Sequence, residues 1–247
     1  MYYYIFDIKK CKKKSQVEDI KRYISALGIS GEFTYPSAAQ TVEELVDLGL
    51  SKKYNTIVAI GGDDIANTIA GKLCGRPEAL GIIPLDISPE LGAVIGTNNW
   101  KDGCENLRYR KITEMRIGQT GKDQYFITNI ELDLKQPTDV TIEFRDYIVQ
   151  SKASKLVVSN FSPSLKKIGP EFLDIEMTSL ADHKGSSLAS FFGFKKRPDG
   201  YSIFRARSLR VFTKSQIALC VNDRPVAKTP QMIESTDEVI RIITQKS

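Results

Sequence analysis

Residues 57–67 read IVAIGGDDIAN, and this stretch decides the fold of the first half of the chain. An uninterrupted apolar run, typical of a strand buried on both faces, ends at Gly61 and Gly62, and a helical pattern follows. Glycine permits a sharp turn and a close backbone approach to a ligand, and the start of a helix attracts anions. The stretch therefore indicates an anion site. Taken alone, an ordinary strand, turn and helix with Asp63 or Asp64 as the N-cap is the simpler interpretation.

Strand-like and helix-like segments alternate on both sides of this stretch. Ser15, with Glu18 three residues later, is predicted to open a helix through a capping box, and Gly28 to end it. Thr41 is predicted to open a second helix. The predicted strands cover residues 2–6, 32–35, 56–60 and 79–84, and the predicted helices cover residues 15–27, 41–48 and 65–73. This order predicts a parallel sheet with helices on its faces.

Beyond about residue 113 the pattern changes to short runs of branched and aromatic residues separated by turn signals. The predicted strands there cover residues 125–134, 139–144, 155–159, 172–178, 209–213 and 217–221, and residues 238–244 are again strand-like. Short strands at this spacing predict an antiparallel β-sandwich. We therefore expect an α/β domain that is followed by an all-β domain.

The composition is that of a soluble globular protein, with 41% hydrophobic and 26% charged residues among 247. The net charge of +5 fits an anionic partner such as nucleotide phosphate or anionic lipid, although solubility alone also explains it. Cys11, Cys74, Cys104 and Cys220 are far apart and His183 is the only histidine, so we expect free thiols and no structural zinc site. We predict a cytoplasmic protein without a signal peptide or membrane span.

A second loop changes the interpretation of the first. Residues 81–85 read GIIPL and lead into residues 86–90, which read DISPE. With the first loop, this arrangement resembles the catalytic domain of the diacylglycerol kinase family, which includes sphingosine kinases and bacterial lipid kinases and shares its first loop with NAD kinases. That family has a Gly-Gly-Asp-Gly-Thr loop, an Asn-Glu helix and a Pro-Leu-Gly-Thr-x-Asn-Asp loop. The resemblance continues in residues 126–130, 172–175 and 221–230, and covers nearly the whole chain.

The resemblance implies a fold, an activity and a set of site residues. The fold is an NAD kinase/diacylglycerol kinase-like α/β domain with a parallel sheet, residues 1–113 with the returning tail 234–247, and a β-sandwich of residues 114–233. The activity is that of an ATP-dependent kinase acting on a lipid or other small hydroxyl compound, with ATP and Mg²⁺ as cofactors. The implied nucleotide- and phosphate-binding residues are Gly61, Gly62, Asp63, Asp64, Asn67, Asp86 and Ser88.

Carboxylates are the candidates for the metal and for catalysis. Asp63, Asp64 and Asp86 could hold Mg²⁺ in an altered arrangement, because carboxylate oxygens suit that ion. Asp223, in the turn that supplies carboxylates near the reaction centre of the family, and Asp174 are the candidate catalytic residues.

Two further segments could contact an anionic partner. Lysines fill most of residues 9–14, after the first predicted strand, where ligands bind in sheets of this topology. Lys9 and Lys10 are therefore candidates for phosphate contacts, and a solvated charge run is the plain alternative. Residues 188–197 are aromatic and then basic, which suits either a membrane surface or a helix packed on the sandwich.

Several positions of the family pattern are replaced. Asp64 and Ile65 replace the Gly-Thr of the family's first loop, and Thr68 replaces the Glu of the helix that follows. Residues 86–90 replace the Gly-Thr-x-Asn-Asp of the second loop. In the second half, Pro-Glu at residues 170–171 stands for Asp-Gly, and Asn-Asp-Arg at residues 222–224 stands for Asp-Gly-Glu. Because phosphoryl transfer depends on positioning and charge stabilisation, these replacements act directly on catalysis.

We therefore predict a diacylglycerol kinase-like protein with a degenerate nucleotide site. The alternative is a catalytically weak or inactive relative, a pseudoenzyme that binds a nucleotide, a lipid or a protein. Nucleic acid is not an expected partner, because only the charge supports it. A peripheral position at a membrane is compatible with the cytoplasmic location. The sequence specifies neither the acceptor nor the oligomeric state.

Overall fold

The computed structural model describes residues 1–13, 15–121, 124–160, 172–179 and 200–246. Lys14, His183 and two segments singled out in the sequence, residues 170–171 and 188–197, lie outside the described residues. The described part contains five α-helices: α1 Gln16–Ala26, α2 Val42–Ser51, α3 Asp63–Leu73, α4 Pro89–Ile95 and α5 Trp100–Tyr109. A single 3₁₀ turn, Ile8–Lys10, follows the first strand within the same described residues.

The first sheet has six strands in the described part of the chain, in the order β2-β1-β3-β4-β17-β5. Their bounds are β1 Tyr2–Phe6, β2 Gly31–Thr34, β3 Thr56–Gly62, β4 Ala79–Asp86, β5 Lys111–Met115 and β17 Ile240–Thr244. Neighbouring strands run parallel except β5, which is antiparallel to β17. The predicted parallel sheet is confirmed, and residues 240–244 form one of its inner strands.

Both faces of the first sheet are covered, which explains the continuous apolar runs of its strands. Tyr3 and Ile5 point to the face that α2, α3 and α4 cover, whereas Tyr4 and Phe6 point to the face that α1 and α5 cover. All four side chains are fully buried. Helices on both faces leave the carboxyl ends of the strands as the open edge where a site can form.

The second sheet is antiparallel and has eleven described strands. Their bounds are β6 Gly118–Thr120, β7 Tyr125–Phe126, β8 Asn129–Leu132, β9 Thr138–Glu143, β10 Ile148–Ser159, β11 Leu173–Ser179, β12 Gly200–Ala206, β13 Ser208–Thr213, β14 Ala218–Val221, β15 Arg224–Lys228 and β16 Gln231–Ser235. The long strand β10 pairs with β9 in its first half and with β8 and β11 in its second half. One curled sheet therefore encloses its own apolar core, and the predicted fold class is confirmed.

Some local predictions were wrong. Ser15 precedes α1, but its side chain accepts no capping hydrogen bond, and its backbone is already helical. Gly62 is the N-cap of α3, so Asp63 and Asp64 occupy the first turn of the helix. The capping box at Thr41 and the left-handed Gly28 after α1 are confirmed.

Helices α4 and α5 were not predicted, because short segments rich in glycine and polar residues carry little helical periodicity. The division into two domains near residue 113 stays a prediction, since the structure gives the membership of two sheets and not a boundary. All four cysteines are free thiols, as expected. Within the described ranges, no helix has the length and apolar character that a bilayer crossing requires.

Candidate functional site

The glycine turn after β3 is tightly packed. A Cβ atom on Gly62 would lie 2.8 Å from the carbonyl oxygen of Asp86 and 3.2 Å from Cε of Lys10. On Gly61 it would lie 2.9 Å from a methyl carbon of Ile65. Such distances leave no room for a side chain, so the glycines here serve a close approach of β3, β4 and the start of α3.

Asp63 is buried, with 6% of its surface exposed, and it binds Ser88. The backbone N–H of Ser88 donates to Oδ1 of Asp63 at 2.7 Å, and the Ser88 hydroxyl donates to Oδ2. The same hydroxyl oxygen caps α4 by accepting from the N–H of Leu91. Burial raises the pKa of the Asp63 carboxyl, against the lowering effect of the two hydrogen bonds from Ser88. Asp63 thus ties α3 to the loop after β4.

Lys10 covers the glycine turn. Its Nζ lies 2.9 Å from Oδ2 of Asp86, and this hydrogen bond raises the pKa of Lys10 and lowers the pKa of Asp86. Lys9 is exposed beside it, in the turn that Asp7 caps by accepting from the Lys9 N–H. Of the two predicted phosphate-contacting lysines, Lys10 is therefore engaged by a carboxylate, whereas Lys9 extends into solvent.

Asp64 binds a residue from the other sheet. Its Oδ2 lies 2.8 Å from a terminal nitrogen of Arg224, the first residue of β15. The hairpin turn before Arg224 consists of Asn222 and Asp223, both in the left-handed region with φ of 50° and 62°. Asn222 also lies close to the Asp63 carboxyl. Two residues that depart from the kinase pattern, Asp64 in place of glycine and Arg224 in place of glutamate, therefore form an ion pair with each other.

Two cavities, each of about 600 Å³, lie on either side of this ion pair. They share a wall of Glu43, Asp64, Thr68 and Arg224. The strand-side cavity continues along the carboxyl ends of β1 and β2 and is lined by Phe6, Ile8, Lys9, Pro36, Ser37 and Ala38, among others. The helix-side cavity continues along α3 and is lined by Asn67, Gly71, Lys72, Tyr125, Val221 and Val226, among others.

The predicted ligand position beside Asp64 thus has open space, whereas Asp86 and Ser88 line neither cavity. Asn67 does line the helix-side cavity. Its Oδ1 accepts from the backbone N–H of Ile127 at 2.9 Å, and its Nδ2 has no hydrogen-bond partner among the described residues. Asn67 therefore joins α3 to the second sheet and keeps one buried donor unused.

The candidate catalytic carboxylates lie apart from the cavities. Asp174 is buried and pairs with Arg205 on the neighbouring strand, with 2.8 Å between Oδ1 and Nε. Asp223 is exposed and lines neither cavity. In the described ranges no three carboxylate, histidine or cysteine side chains are grouped as a metal site, so Mg²⁺ binding through Asp63, Asp64 and Asp86 stays a prediction.

Sequence reasoning missed the role of Arg224 and Glu43 in forming the shared wall. The sequence did carry a signal for Arg224. This cation replaces an acid of the family pattern, while Asp64 places an acid where that pattern has glycine, and the two exchanges are complementary in charge. Glu43 had none, since it is one of several charged residues in the first turn of α2.

Comparisons with known proteins agree with the fold. Residues 8–120 match the model of the diacylglycerol kinase catalytic domain, and a search of curated proteins gave no match. A solved candidate diacylglycerol kinase from Bacillus anthracis str. Sterne is 14% identical, with a TM-score of 0.78 over 99% of this chain and 97% of that one. A second structure from that organism, described as a diacylglycerol kinase, has a TM-score of 0.75 at 14% identity, over 99% and 96% of the two chains. The predicted resemblance is confirmed: over residues 8–120 the chain is similar to the diacylglycerol kinase catalytic domain, and over nearly its whole length it has the fold of these structures.

Proposed function

We propose that the chain binds a nucleotide in the strand-side cavity and transfers its phosphoryl group to an alcohol slowly or not at all. The match to a kinase catalytic domain supports the nucleotide. The weak or absent transfer rests on one observation, the ion pair between Asp64 and Arg224.

This ion pair changes the charge of the reaction centre that the resemblance implies. Where the kinase turn supplies a carboxylate, this chain has the guanidinium of Arg224. That guanidinium pairs with Asp64, which occupies a glycine position of the kinase pattern. Asp63 and Asp86 are held as well, by Ser88 and Lys10. Phosphoryl transfer depends on metal ions and charges positioned around the phosphates. With Asp63, Asp64 and Asp86 each engaged by its own partner, none of these three carboxylates is poised for that task.

Nucleotide binding itself has support from the strand-side cavity. The cavity lies at the carboxyl ends of β1 and β2, where open α/β sheets bind ligands. Phe6, Ile8 and Pro36 give it an apolar side suited to a base. Its cationic lining residues are Lys9 and Arg224, and its acidic lining residues are Asp7, Glu43 and Asp64. The 2.8 Å contact of Arg224 with Asp64 involves one terminal nitrogen, and a guanidinium has further N–H groups that can donate to phosphate oxygens.

Calorimetry with ATP, with and without Mg²⁺, tests the binding. We expect binding that Lys9→Glu weakens several-fold, because the change replaces a cation of the cavity lining with an acid. Lys152→Glu is the matched control, because Lys152 is exposed on β10 and lines neither cavity. ATP that does not bind, or that binds both variants like the unchanged protein, would contradict the proposed nucleotide site.

A turnover assay tests the weak transfer. Purified protein is incubated with ATP, Mg²⁺ and a panel of diacylglycerol, sphingoid and isoprenoid alcohols. We expect rates far below the roughly 1–100 s⁻¹ of ordinary kinases. A rate within that range would show that the altered loops form a working active site. Binding to a lipid or an anionic membrane stays a prediction, because residues 188–197 lie outside the described chain.

A further inference from the structure

We infer that the helix-side cavity binds a small, uncharged polyhydroxylated molecule, of the polyol or monosaccharide class, and not a diacylglycerol. The inference rests on the proposed function only in assigning the nucleotide to the other cavity. It is carried by the lining of the helix-side cavity and by one unused hydrogen-bond donor on Asn67, a residue that lines it.

Most side chains that line this cavity are polar. Glu43, Lys72 and Gln124 lie around it together with the Asp64–Arg224 pair, and Val221 and Val226 are its aliphatic side chains. Two acyl chains placed here would remove charged and amide groups from water without replacing their hydrogen bonds, which is costly. A volume of about 600 Å³ is ordinary for a small-molecule site.

The charges around the cavity favour a neutral ligand. Glu43 and Asp64 are balanced by Lys72 and Arg224, and Asp47 adds a further acid where it pairs with Lys72 at 2.8 Å. A phosphate or carboxylate would find no excess of positive charge among the lining residues and has no proton to donate to their carboxylates. A hydroxyl both donates to a carboxylate and accepts from an ammonium or amide, so several hydroxyls on one molecule satisfy this lining.

Asn67 supplies the independent observation that points to a ligand. The residue is 8% exposed, and the bond from Ile127 fixes the orientation of its amide. Its Nδ2 then has no acceptor among the residues described, and a buried donor left unpaired costs about 1–3 kcal/mol. A ligand oxygen entering the cavity that Asn67 lines would pair this donor.

Tyr125 gives the site its aromatic wall. A Cβ on Gly71 would lie 2.4 Å from Cδ2 of Tyr125, so the ring packs directly on α3 where glycine leaves room. The ring borders the cavity beside the polar groups. An aromatic face with hydrogen-bonding groups around it suits a ring-shaped polyol, which has apolar C–H faces and polar edges.

Saturation-transfer NMR tests the inference with glucose, myo-inositol, glycerol and short-chain dioctanoylglycerol as probes. Val226→Phe narrows the helix-side cavity, and Ala38→Phe narrows the strand-side cavity as its matched control. We expect a signal from at least one polyol that Val226→Phe abolishes and Ala38→Phe retains. Asn67→Asp keeps the acceptor for the Ile127 N–H but loses the Nδ2 donor, so it should weaken binding of the same polyol at least tenfold.

ATP binding, measured on the same variants, separates this inference from the proposed function. We expect Ala38→Phe to reduce ATP binding and Val226→Phe to retain it. If ATP binds as proposed and no polyol gives a signal, or if dioctanoylglycerol alone gives one that Val226→Phe removes, this inference is overturned. If the polyol pattern holds and ATP does not bind, only the proposed function fails. Thermal unfolding confirms that each variant is folded before its result is used.

Discussion

Asp63 and Asp64 are adjacent in the chain, yet they belong to two different kinds of contact. Asp63 is buried and accepts hydrogen bonds from the backbone N–H and the hydroxyl of Ser88, at the carboxyl-terminal edge of the first sheet. Asp64 is partly exposed and pairs with Arg224, which is 68% exposed and belongs to the second sheet. The first contact connects the loops that follow neighbouring strands, whereas the second crosses the space between the cavities.

The difference shows which part of the site can change without affecting the fold. Hydrogen bonds to a buried carboxylate stabilise a structure because their loss leaves buried groups unpaired. An exposed ion pair contributes little, with a median of about 0–1 kcal/mol. Charge changes at Asp64 and Arg224 should therefore alter ligand binding, whereas changes around Gly62, Asp63 and Ser88 should alter stability.

Gly62→Ala should give the largest effect on the buried side. Its Cβ would lie 2.8 Å from the backbone oxygen of Asp86. Asp86 is the last residue of β4, so this oxygen cannot move without disturbing that strand. We expect a loss of about 1–3 kcal/mol in the free energy of unfolding, the usual cost of overpacking. Urea unfolding measures it, with Gly200→Ala as control, because the nearest atoms of the described residues there lie at 3.9 Å. Equal stability of both variants would show that the turn is not fixed by its packing.

Ser88→Ala should follow, because it removes both the cap of α4 and one bond to Asp63. We expect a loss of about 1–2 kcal/mol. Thr41→Ala removes the cap of α2 alone, so the difference between the two variants isolates the contribution of the Asp63 hydroxyl bond. A loss no larger than that of Thr41→Ala would mean that the bond to Asp63 contributes nothing.

Asp63→Asn should make stability depend on pH in a defined direction. Because burial raises the folded-state pKa of Asp63, its favourable contribution is complete below the unfolded-state pKa and is lost as pH rises through the folded-state value. From about pH 4, near the unfolded-state pKa, towards pH 7, the wild-type chain should lose stability relative to Asp63→Asn. Unfolding free energies at several pH values test this. A difference that stays constant, or changes in the opposite direction, would show that the carboxyl is stabilised as the anion.

The exposed pair should give the smallest effect. A double-mutant cycle of Asp64→Ala and Arg224→Ala should yield a coupling energy of roughly 0.2–1 kcal/mol. The cycle of Glu114→Ala and Arg241→Ala is its control, since that pair has a similar separation of 3.0 Å but lies within the first sheet. The two cycles should give similar coupling energies for unfolding, and only the variants of Asp64 and Arg224 should change ATP binding. A coupling above about 2 kcal/mol would place the Asp64–Arg224 pair among the structural contacts instead.

Local patterns predicted much of the fold, and distant pairings limited the rest. The apolar run into Gly61 predicted β3, its neighbours and the helix that follows, because periodicity and glycine act within a few residues. The contact of Asp63 with Ser88 depends on the register of β3 on β4, where a shift occurs after Gly61. Arg224 reaches Asp64 through the hairpin of β14 and β15. Ser88 carries no local signal for its partner, and the charge of Arg224 is informative only against the family pattern. The sequence therefore indicated Asp63, Asp64 and Ser88 as candidate site residues, but not their pairing.

The position of β17 has a consequence for how the protein is made. This strand lies between β4 and β5, and its isoleucines Ile240, Ile242 and Ile243 are buried in the cores on both faces of the first sheet. Amino-terminal domains commonly fold first during synthesis. Here the first sheet stays incomplete until residues 240–244 leave the ribosome, whereas the described strands of the second sheet all precede them in the chain. We therefore expect proteases to cut stalled nascent chains within the first half until that last strand emerges, so that the half made first is the half completed last.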